Sequence, residues 1–329
     1  MRERWVCLIV VGLTVVAASR LNGQGTIDAD LAERCAAAGI VGDDLALCRD
    51  VIAAVQLTQP ELGLALAGGN PVLGTASPIG TKFRFIPRIQ LGGRMSFVWG
   101  NMPEILDYPG SDRAGESRGY SLIIPQVDLS VGVFDGFDLG ATLGGLGAVE
   151  LLGSLNAMIL PGGAGFKNDV GGLGLGARVG VIRESFTAPG VSVSAQYKWT
   201  GRVEYGAVGR SDDAQFGLNQ RVLSLRAGLS KSFVALGLAF TLGWDRYAGD
   251  VDFGIAEAPG SLLPVVPELD PVSLTTERWS AFVDVAYIVL FLNFVAEAGW
   301  QEERSLVASG GSQVDSGKFL GAIGLRMTF

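Results

Sequence analysis

The sequence contains no histidine among its 329 residues, and this absence excludes every mechanism that depends on an imidazole. A Ser-His-Asp triad, a Cys-His pair and a His-ligated zinc site are therefore ruled out. Charged residues make up only 18% of the chain, which is below the usual share of about 25%. The net charge of −8 and the lack of a basic block argue against nucleic acid as a partner.

A long apolar run is also missing beyond the first residues. No later stretch has the roughly 18 consecutive apolar residues of a membrane helix. The densest candidate, 282–298, is interrupted by Asp284, Asn293 and Glu297. Residues 1–24 combine a charged start, a short apolar run and small residues near its end, which is typical of a cleaved signal peptide. We therefore predict an exported protein.

After residue 80, apolar and polar side chains alternate. In 82–99 the odd positions are apolar, with aromatic residues near both ends, and the even positions carry four cations. A period of two is typical of a strand whose two faces meet different surroundings. Several stretches alternate for about ten residues or more, which exceeds soluble strands and is enough to cross a bilayer. Their polar faces hold small residues and their apolar faces bulky ones, as a crowded lumen and a lipid exterior require.

The alternating stretches predict a closed antiparallel transmembrane β-barrel of about ten strands over residues 80–329, and a count of twelve stays open. Their connections run long, short, long, short, like the outer loops and periplasmic turns of bacterial outer-membrane barrels. The stretch 150–169 is expected to be a long loop, with a short helix in the barrel mouth as an option. The predicted strands are 82–99, 120–133, 137–149, 170–184, 190–205, 219–232, 234–247, 276–288, 291–303 and 317–329.

The final strand alternates and ends on an aromatic residue. The residues of its apolar face are Phe319, Gly321, Ile323, Leu325, Met327 and Phe329. This arrangement resembles the targeting signal of bacterial outer-membrane β-barrel proteins. The resemblance implies a place in the outer membrane of a Gram-negative-type envelope, lipid around the barrel, and the barrel-assembly machinery as a partner during biogenesis.

Residues 25–79 form a separate N-terminal segment. One of the three cysteines lies in the predicted signal peptide, and Cys35 and Cys48 are left as an even pair, which in an exported protein predicts a disulfide. Helical spacing predicts two short helices, at 28–39 and 43–56, that this bond would join. Because so small a unit cannot hold a core alone, we expect a periplasmic cap or a plug in the barrel lumen.

The sequence Gly-Gly-Asn-Pro-Val at 68–72 is similar to the hatch of the long-chain fatty-acid transporter family, in which Asn-Pro-Ala precedes the barrel. Here Val72 stands where that family has alanine, the hatch is shorter, and fewer strands are predicted. Asn-Pro is also an ordinary turn sequence. The resemblance implies a hydrophobic solute.

The polar strand faces would line the lumen with charges of both signs. Because a barrel of about ten strands is narrow, these charges either pair and close the lumen or select a small solute. The predicted lining residues are Arg84, Arg88, Arg94, Asp128, Arg178, Lys198, Arg202, Glu204, Arg226, Asp245, Arg278, Asp284, Glu297 and Arg326.

Two functions stay open at this point. The first is a porin-like narrow pore or transporter for a small solute, hydrophobic solutes included. The alternative is a closed structural or interaction barrel that presents long outer loops, above all the proline-rich 248–275. In architecture the chain resembles the omptin proteases, the outer-membrane phospholipase and the lipid A palmitoyltransferase and deacylase, and each of these families places a histidine in the active site. Because this sequence has none, we expect no enzyme. We also expect no cofactor and no metal site. Acidic pairs such as Asp250 and Asp252 are typical of solvated loops.

Overall fold

The computed structural model describes residues 24–25, 33, 35, 40, 42–82, 86–108, 116–138, 140, 143–208, 212–256, 271–309, 311 and 313–329. Over these residues the chain forms a barrel of ten antiparallel strands around a helix, α1, at Asp43–Ala67. Short strands at Gln24–Gly25, Ser305–Val307 and Gln313–Asp315 form a small separate sheet. The barrel strands are β1 Ile86–Pro103, β2 Ser117–Phe134, β3 Val149–Met158, β4 Val170–Ile182, β5 Gly190–Tyr205, β6 Ala214–Phe233, β7 Leu236–Ile255, β8 Val272–Val289, β9 Leu292–Gln301 and β10 Phe319–Thr328.

The barrel is closed. Each strand pairs with its neighbour in sequence, and β10 pairs with β1 from Leu320 opposite Val98 to Thr328 opposite Gln90. A closed ring leaves no strand edge without hydrogen bonds, and in lipid no water could satisfy such an edge. The prediction of a ten-stranded closed antiparallel barrel is confirmed.

The outward face of the barrel is apolar. Leu155 and Ile323, for example, are 62% and 60% exposed. Near one end, large aromatic residues lie side by side on neighbouring strands, with Trp279 opposite Trp244 and Trp300 opposite Phe319. An apolar band bordered by aromatic residues is the exterior of a transmembrane barrel.

The two ends of the barrel differ in the length of their connections. At one end, β6–β7 and β8–β9 are joined by two residues each, and Val234 and Leu290 adopt positive φ angles of 56° and 55° there. At the other end, the connections span 104–116, 159–169, 206–213, 256–271 and 302–318. Because outer loops are long and periplasmic turns short in bacterial barrels, we name these the inner end and the outer end, respectively.

The third strand lies elsewhere than the sequence predicts. The prediction at 137–149 is wrong, since β3 occupies Val149–Met158 and residues 135–148 form an inner connection. The expected loop and mouth helix at 150–169 are therefore wrong too, apart from a single 3₁₀ turn at Gly162–Ala164. Alternation is hidden in β3 because Leu152 and Met158 are apolar although they face the lumen. The strict long-short order of connections also fails at this point.

Helix α1 is longer than the sequence predicts. It continues past residue 56 and through Pro60 to Ala67. Proline removes one backbone donor and usually ends a helix. Here the side chains of the wall supply extra partners, because the Gln301 amide donates to the Pro60 carbonyl at 3.3 Å and Gln220 donates to the Gln59 carbonyl at 2.9 Å. The helix therefore continues past its proline in contact with the barrel wall.

Helix α1 lies within the barrel, where every residue from Asp50 to Ala67 is buried. Its diameter of about 10–12 Å matches the narrow interior of a barrel of this size. The predicted Cys35–Cys48 disulfide is present and ties the first turns of α1 to the preceding chain. Residues 33 and 35 are helical, and the rest of the predicted helix at 28–39 lies outside the described residues.

Candidate functional site

The outer half of the lumen, which we name the outer lumen, is an apolar core around α1. Helix residues such as Ile52, Leu62 and Leu66 are at most 1% exposed. The wall is apolar on both faces here, which is unusual for a strand with water on one side. The wall residues of this core are Val98, Met102, Leu122, Ile124, Met158, Val203, Phe216, Leu218, Val222, Val251, Phe253, Leu274, Phe282 and Leu320.

Polar groups on α1 have partners from the wall. The buried Glu61 carboxylate accepts hydrogen bonds from the Tyr120 hydroxyl and from the backbone N–H groups of Asn101 and Gly317. The Gln59 side chain accepts from the Thr276 hydroxyl at 3.1 Å. A buried polar group without such partners would destabilise the fold, so these contacts fix the depth of the helix as well as its rotation.

At the outer end, α1 is attached to the loop between β9 and β10. The Asp50 carboxylate accepts from the backbone N–H and the hydroxyl of Ser309, each at 2.7 Å. One helical turn further on, Ala53 and Leu57 pack in a small apolar cluster with Leu306 and two neighbouring loop residues. The beginning of the helix therefore lies at the outer end of the barrel.

The inner half of the lumen, which we name the inner lumen, is charged instead of apolar. Its wall pairs Arg94 with Asp128 at 2.9 Å, Arg178 with Glu150 at 2.6 Å, and Arg226 with Asp245 at 2.7 Å. None of the ten charged residues is more than 9% exposed. They are the cations Arg94, Arg178, Lys198, Arg226 and Arg326 and the anions Asp128, Glu150, Asp245, Asp284 and Glu297.

These charges surround residues 68–80, which we name the lumen segment. The segment is irregular and buried almost throughout, so its backbone groups have few partners of their own. The wall cations donate to its carbonyl groups: Arg226 to Gly68 at 3.1 Å and Gly69 at 3.3 Å, and Arg178 to Thr75 at 3.2 Å and Ser77 at 3.3 Å.

Two further cations complete this set. Lys198 donates to the Ala67 carbonyl at 2.9 Å, at the last residue of α1, where the helix dipole favours a positive charge. Arg326 donates to the Leu73 carbonyl at 2.5 Å. The cations of the inner lumen thus follow the chain from the end of the helix toward the inner end.

The wall anions accept hydrogen bonds from the N–H groups of the same segment. Glu297 accepts from the Asn70 N–H at 2.7 Å, and Asp284 from the Gly74 N–H at 3.0 Å. Glu150 accepts from the Ile79 N–H at 2.5 Å. The inner lumen therefore provides donors for the carbonyl groups and acceptors for the amides of an irregular backbone.

Asn70 is the residue whose side chain the wall contacts most specifically. Its amide donates to the Asp284 carboxylate at 2.7 Å, and its carbonyl oxygen accepts from the Val72 N–H at 3.2 Å. The second bond is an Asx turn, which Asn-Pro sequences favour. The hatch-like sequence at 68–72 therefore lies where α1 ends and the lumen segment begins.

At the inner end, the chain passes from the lumen segment into the barrel wall. Asp135 accepts hydrogen bonds from the backbone N–H and hydroxyl of Thr81 and from the Arg183 guanidinium. Partial burial acts to raise the pKa of Asp135, but these hydrogen bonds prevail and lower it below its ordinary value. Arg88 donates to the Ile79 carbonyl at 3.1 Å beside them.

The described lumen leaves little room for a solute. A cavity between the lumen segment and the wall, bordered by Leu73, Gln90 and Arg326, has a volume of about 10 Å³. That is about the space of one water molecule. A groove of about 980 Å³ lies along the wall instead, between outward residues such as Met95 and Ile323, where lipid chains would fill it.

Most of the predicted lining residues do lie on the lumen side. Arg278 is half-buried in the outer part, Arg88 is exposed at the inner end, and Arg84 lies outside the described residues. Arg202 and Glu204 contradict the prediction, because a register shift between Trp199 and Arg202 reverses the faces of β5. The residues placed as predicted are Arg94, Asp128, Arg178, Lys198, Arg226, Asp245, Asp284, Glu297 and Arg326.

The alternation beyond this shift brings Val203 and Tyr205 inside, while Arg202 forms an ion pair with Asp252 on the rim. The sequence analysis missed Glu150, Glu61 and the role of Asn70. The alternation of Glu150, Ser154 and Asn156 in β3 could have indicated the first of these.

The described residues include no group of three or more His, Cys, Asp or Glu side chains that could hold a metal ion. None of the described helical residues belongs to a stretch with the length and hydropathy of a membrane-crossing helix. The expectation that the chain is not an enzyme stays a prediction.

No family model and no curated protein matches the chain. Among solved structures, the translocator domain of the autotransporter NalP from Neisseria meningitidis is similar, at 12% identity and a TM-score of 0.42 over 85% of this chain and 98% of that one. The transport unit of the autotransporter AIDA-I from Escherichia coli shows 11% identity and a TM-score of 0.35, covering 84% and 99%. The toluene transporter TodX from Pseudomonas putida shows 8% and 0.30, covering 80% and 97%.

At such identities the likeness concerns the barrel fold alone. The closed ring of ten strands, the apolar exterior and the bordering aromatic residues define the chain as a β-barrel of the outer-membrane type. The resemblance of residues 68–72 to the fatty-acid transporter hatch stays a prediction.

Proposed function

We propose that the protein is a closed barrel of the outer membrane that presents polypeptide at the outer face and does not conduct at rest. The observation that supports this proposal is helix α1 in the outer lumen, buried from Asp50 to Ala67. Burial of each large apolar side chain contributes about 1.5–3 kcal/mol, so withdrawal of the helix would cost about 10 kcal/mol or more. The residues concerned are Val51, Ile52, Val55, Leu57, Leu62, Leu64 and Leu66.

The surface that the barrel would present consists of the connections at the outer end, the longest of which are 104–116, 256–271 and 302–318. Much of the proline-rich loop at 248–275 lies outside the described residues, but its first part extends β7 beyond the apolar band. Outer-membrane lipid around the wall and the barrel-assembly machinery at β10 are the partners of this proposal. Phe319, Ile323 and Phe329 are exposed and available to both.

Single-channel conductance of the purified full-length protein in a planar bilayer tests the proposal. We expect no steady conductance, with insertion verified by the heat-dependent gel mobility of folded barrels. Steady conductance that changes in the Arg94→Ala variant would contradict a closed barrel, because Arg94 lies in the inner lumen.

A second candidate is a transporter for a small hydrophobic solute, and the apolar wall of the outer lumen favours it. If α1 moved, residues such as Val98, Leu218 and Phe282 would line a hydrophobic pathway through the outer lumen. Flux of a labelled aromatic hydrocarbon into vesicles that carry the protein tests this candidate. Flux that stops when α1 is cross-linked to the wall would support it, and flux equal to that of empty vesicles would exclude it.

A further inference from the structure

The direction in which the chain passes through the lumen determines at which end of the barrel the residues before α1 lie. The helix begins beside the outer loop, where Asp50 contacts Ser309. It ends halfway along the barrel, where Lys198 contacts the Ala67 carbonyl. The lumen segment then reaches the inner end, where Thr81 contacts Asp135 in the connection between β2 and β3. The chain therefore runs from the outer end to the inner end before β1 begins.

The residues upstream of α1 are consistent with this direction. The short strand Gln24–Gly25 pairs with Ser305–Val307, which belongs to the outer connection between β9 and β10. Cys35 is bonded to Cys48 in the second turn of α1, at the same end. The described residues before Asp43 that have known partners thus lie at the outer end, together with the long loops.

The inner lumen contacts the chain chiefly through groups that every polypeptide has. Six wall-to-segment bonds end on backbone carbonyl oxygens at positions 68, 69, 73, 75, 77 and 79. Three end on backbone N–H groups at 70, 74 and 79. Side-chain contacts are fewer and include Asn70 with Asp284, Thr75 with Ser230, and an apolar packing of Leu73.

We propose that the inner lumen is a binding site for extended polypeptide backbone, through which the barrel carries the chain upstream of Asp43 across the membrane and displays it on the outer face. Charged side chains of both signs recognise the carbonyl and amide groups of an irregular strand. The barrel thereby acts as a carrier for its own N-terminal polypeptide. This role goes beyond a closed barrel that presents only its loops.

A topology experiment on cells that make the full chain tests this proposal. One short epitope is inserted after Gly25, and two control epitopes are inserted separately, at Gly311 in an outer connection and at Phe186 in the inner turn between β4 and β5. We expect antibody to bind the Gly25 and Gly311 epitopes on intact cells and to bind the Phe186 epitope only after the outer membrane is permeabilised. All three proteins must show the heat-dependent gel mobility of a folded barrel.

An epitope after Gly25 that is bound only after permeabilisation, like that at Phe186, would overturn the proposal. If the insertion at Gly25 prevents folding, a single cysteine in place of Thr26 and labelling by a membrane-impermeant maleimide give the same two outcomes. Neither result depends on conductance, so failure of the carrier proposal is distinguishable from failure of the closed-barrel proposal.

Discussion

The outer and inner lumen hold two stretches of the same chain by opposite means. In the outer lumen the chain is helical and satisfies most of its own backbone hydrogen bonds, so the wall packs against it mainly with apolar side chains. In the inner lumen the chain is irregular and cannot do so, and the wall supplies buried charges as donors and acceptors. The character of each wall is therefore explained by the backbone that it encloses.

The largest effect is expected where a buried charge loses its partner in the inner lumen. Arg178→Met leaves the Glu150 carboxylate without its cation, and it removes the guanidinium donor from the Thr75 and Ser77 carbonyl groups. Breaking such a pair costs about 3–5 kcal/mol. Unfolding by urea in lipid vesicles measures the loss. The double variant Arg178→Met/Glu150→Gln should recover part of it, and a single variant as stable as the parent would contradict this account.

In the outer lumen, truncation of a helix side chain should lower the free energy of unfolding by about as much, for a different reason. Leu62→Ala removes a fully buried side chain and leaves a cavity, at about 2–5 kcal/mol. Leu155→Ala on the lipid face is the matched control, because lipid chains fill the space that it leaves. Equal losses in free energy of unfolding for the two variants would show that α1 does not form a packed core.

A smaller loss of stability is expected at the inner end, where the backbone of the lumen segment contacts that of β2. A Cβ at Gly132 would collide with the Gly80 carbonyl oxygen, and Gly80 itself has a positive φ of 65°. Overpacking of this kind costs about 1–3 kcal/mol. Gly153→Ala is the control, since a Cβ at Gly153 meets no atom within 4 Å. Gly132→Ala without a fall in stability relative to this control would mean that the lumen segment is not seated there.

The smallest effect is expected for an ion pair on the rim. Arg221 and Asp250 are 2.6 Å apart, with side chains 47% and 38% exposed. Arg221→Ala should therefore lower the free energy of unfolding by less than about 1 kcal/mol, and the difference should shrink in high salt. The difference between the losses in free energy of unfolding for the Arg178 and Arg221 variants measures how much burial strengthens an ion pair. Equal losses for the two variants would contradict this account.

Much of the barrel could be predicted because lipid and lumen impose a period of two on the sequence. Arg94 and Arg226 were assignable to the lumen for that reason. The prediction failed where the lumen face of a strand is partly apolar, as in β3, and where a register shift reverses the faces, as at Arg202. These two features depend on α1 and on the pairing of strands, and neither is visible in the local pattern.

The length of α1 was unpredictable for a related reason. Pro60 and the glycines that follow indicate the end of a helix in water, but within the barrel Gln220 and Gln301 stabilise the backbone beside the proline. The role of Asn70 likewise depends on Asp284 and Glu297, more than 200 residues away in sequence. Only the closed ring brings these groups together.

Thiol cross-linking tests the position of α1 most directly. The side chains of Gln59 and Thr276 are in hydrogen-bond contact, so a short bifunctional thiol reagent should join cysteines at these two positions in outer membranes, and mass spectrometry should detect the linked peptides. A pair at Gln59 and Ser230 should not react, because Ser230 lies beside Thr75 in the inner lumen. Linkage of the first pair alone is the result predicted by a helix seated in the outer lumen. Absence of that link, or linkage of the second pair, would contradict it.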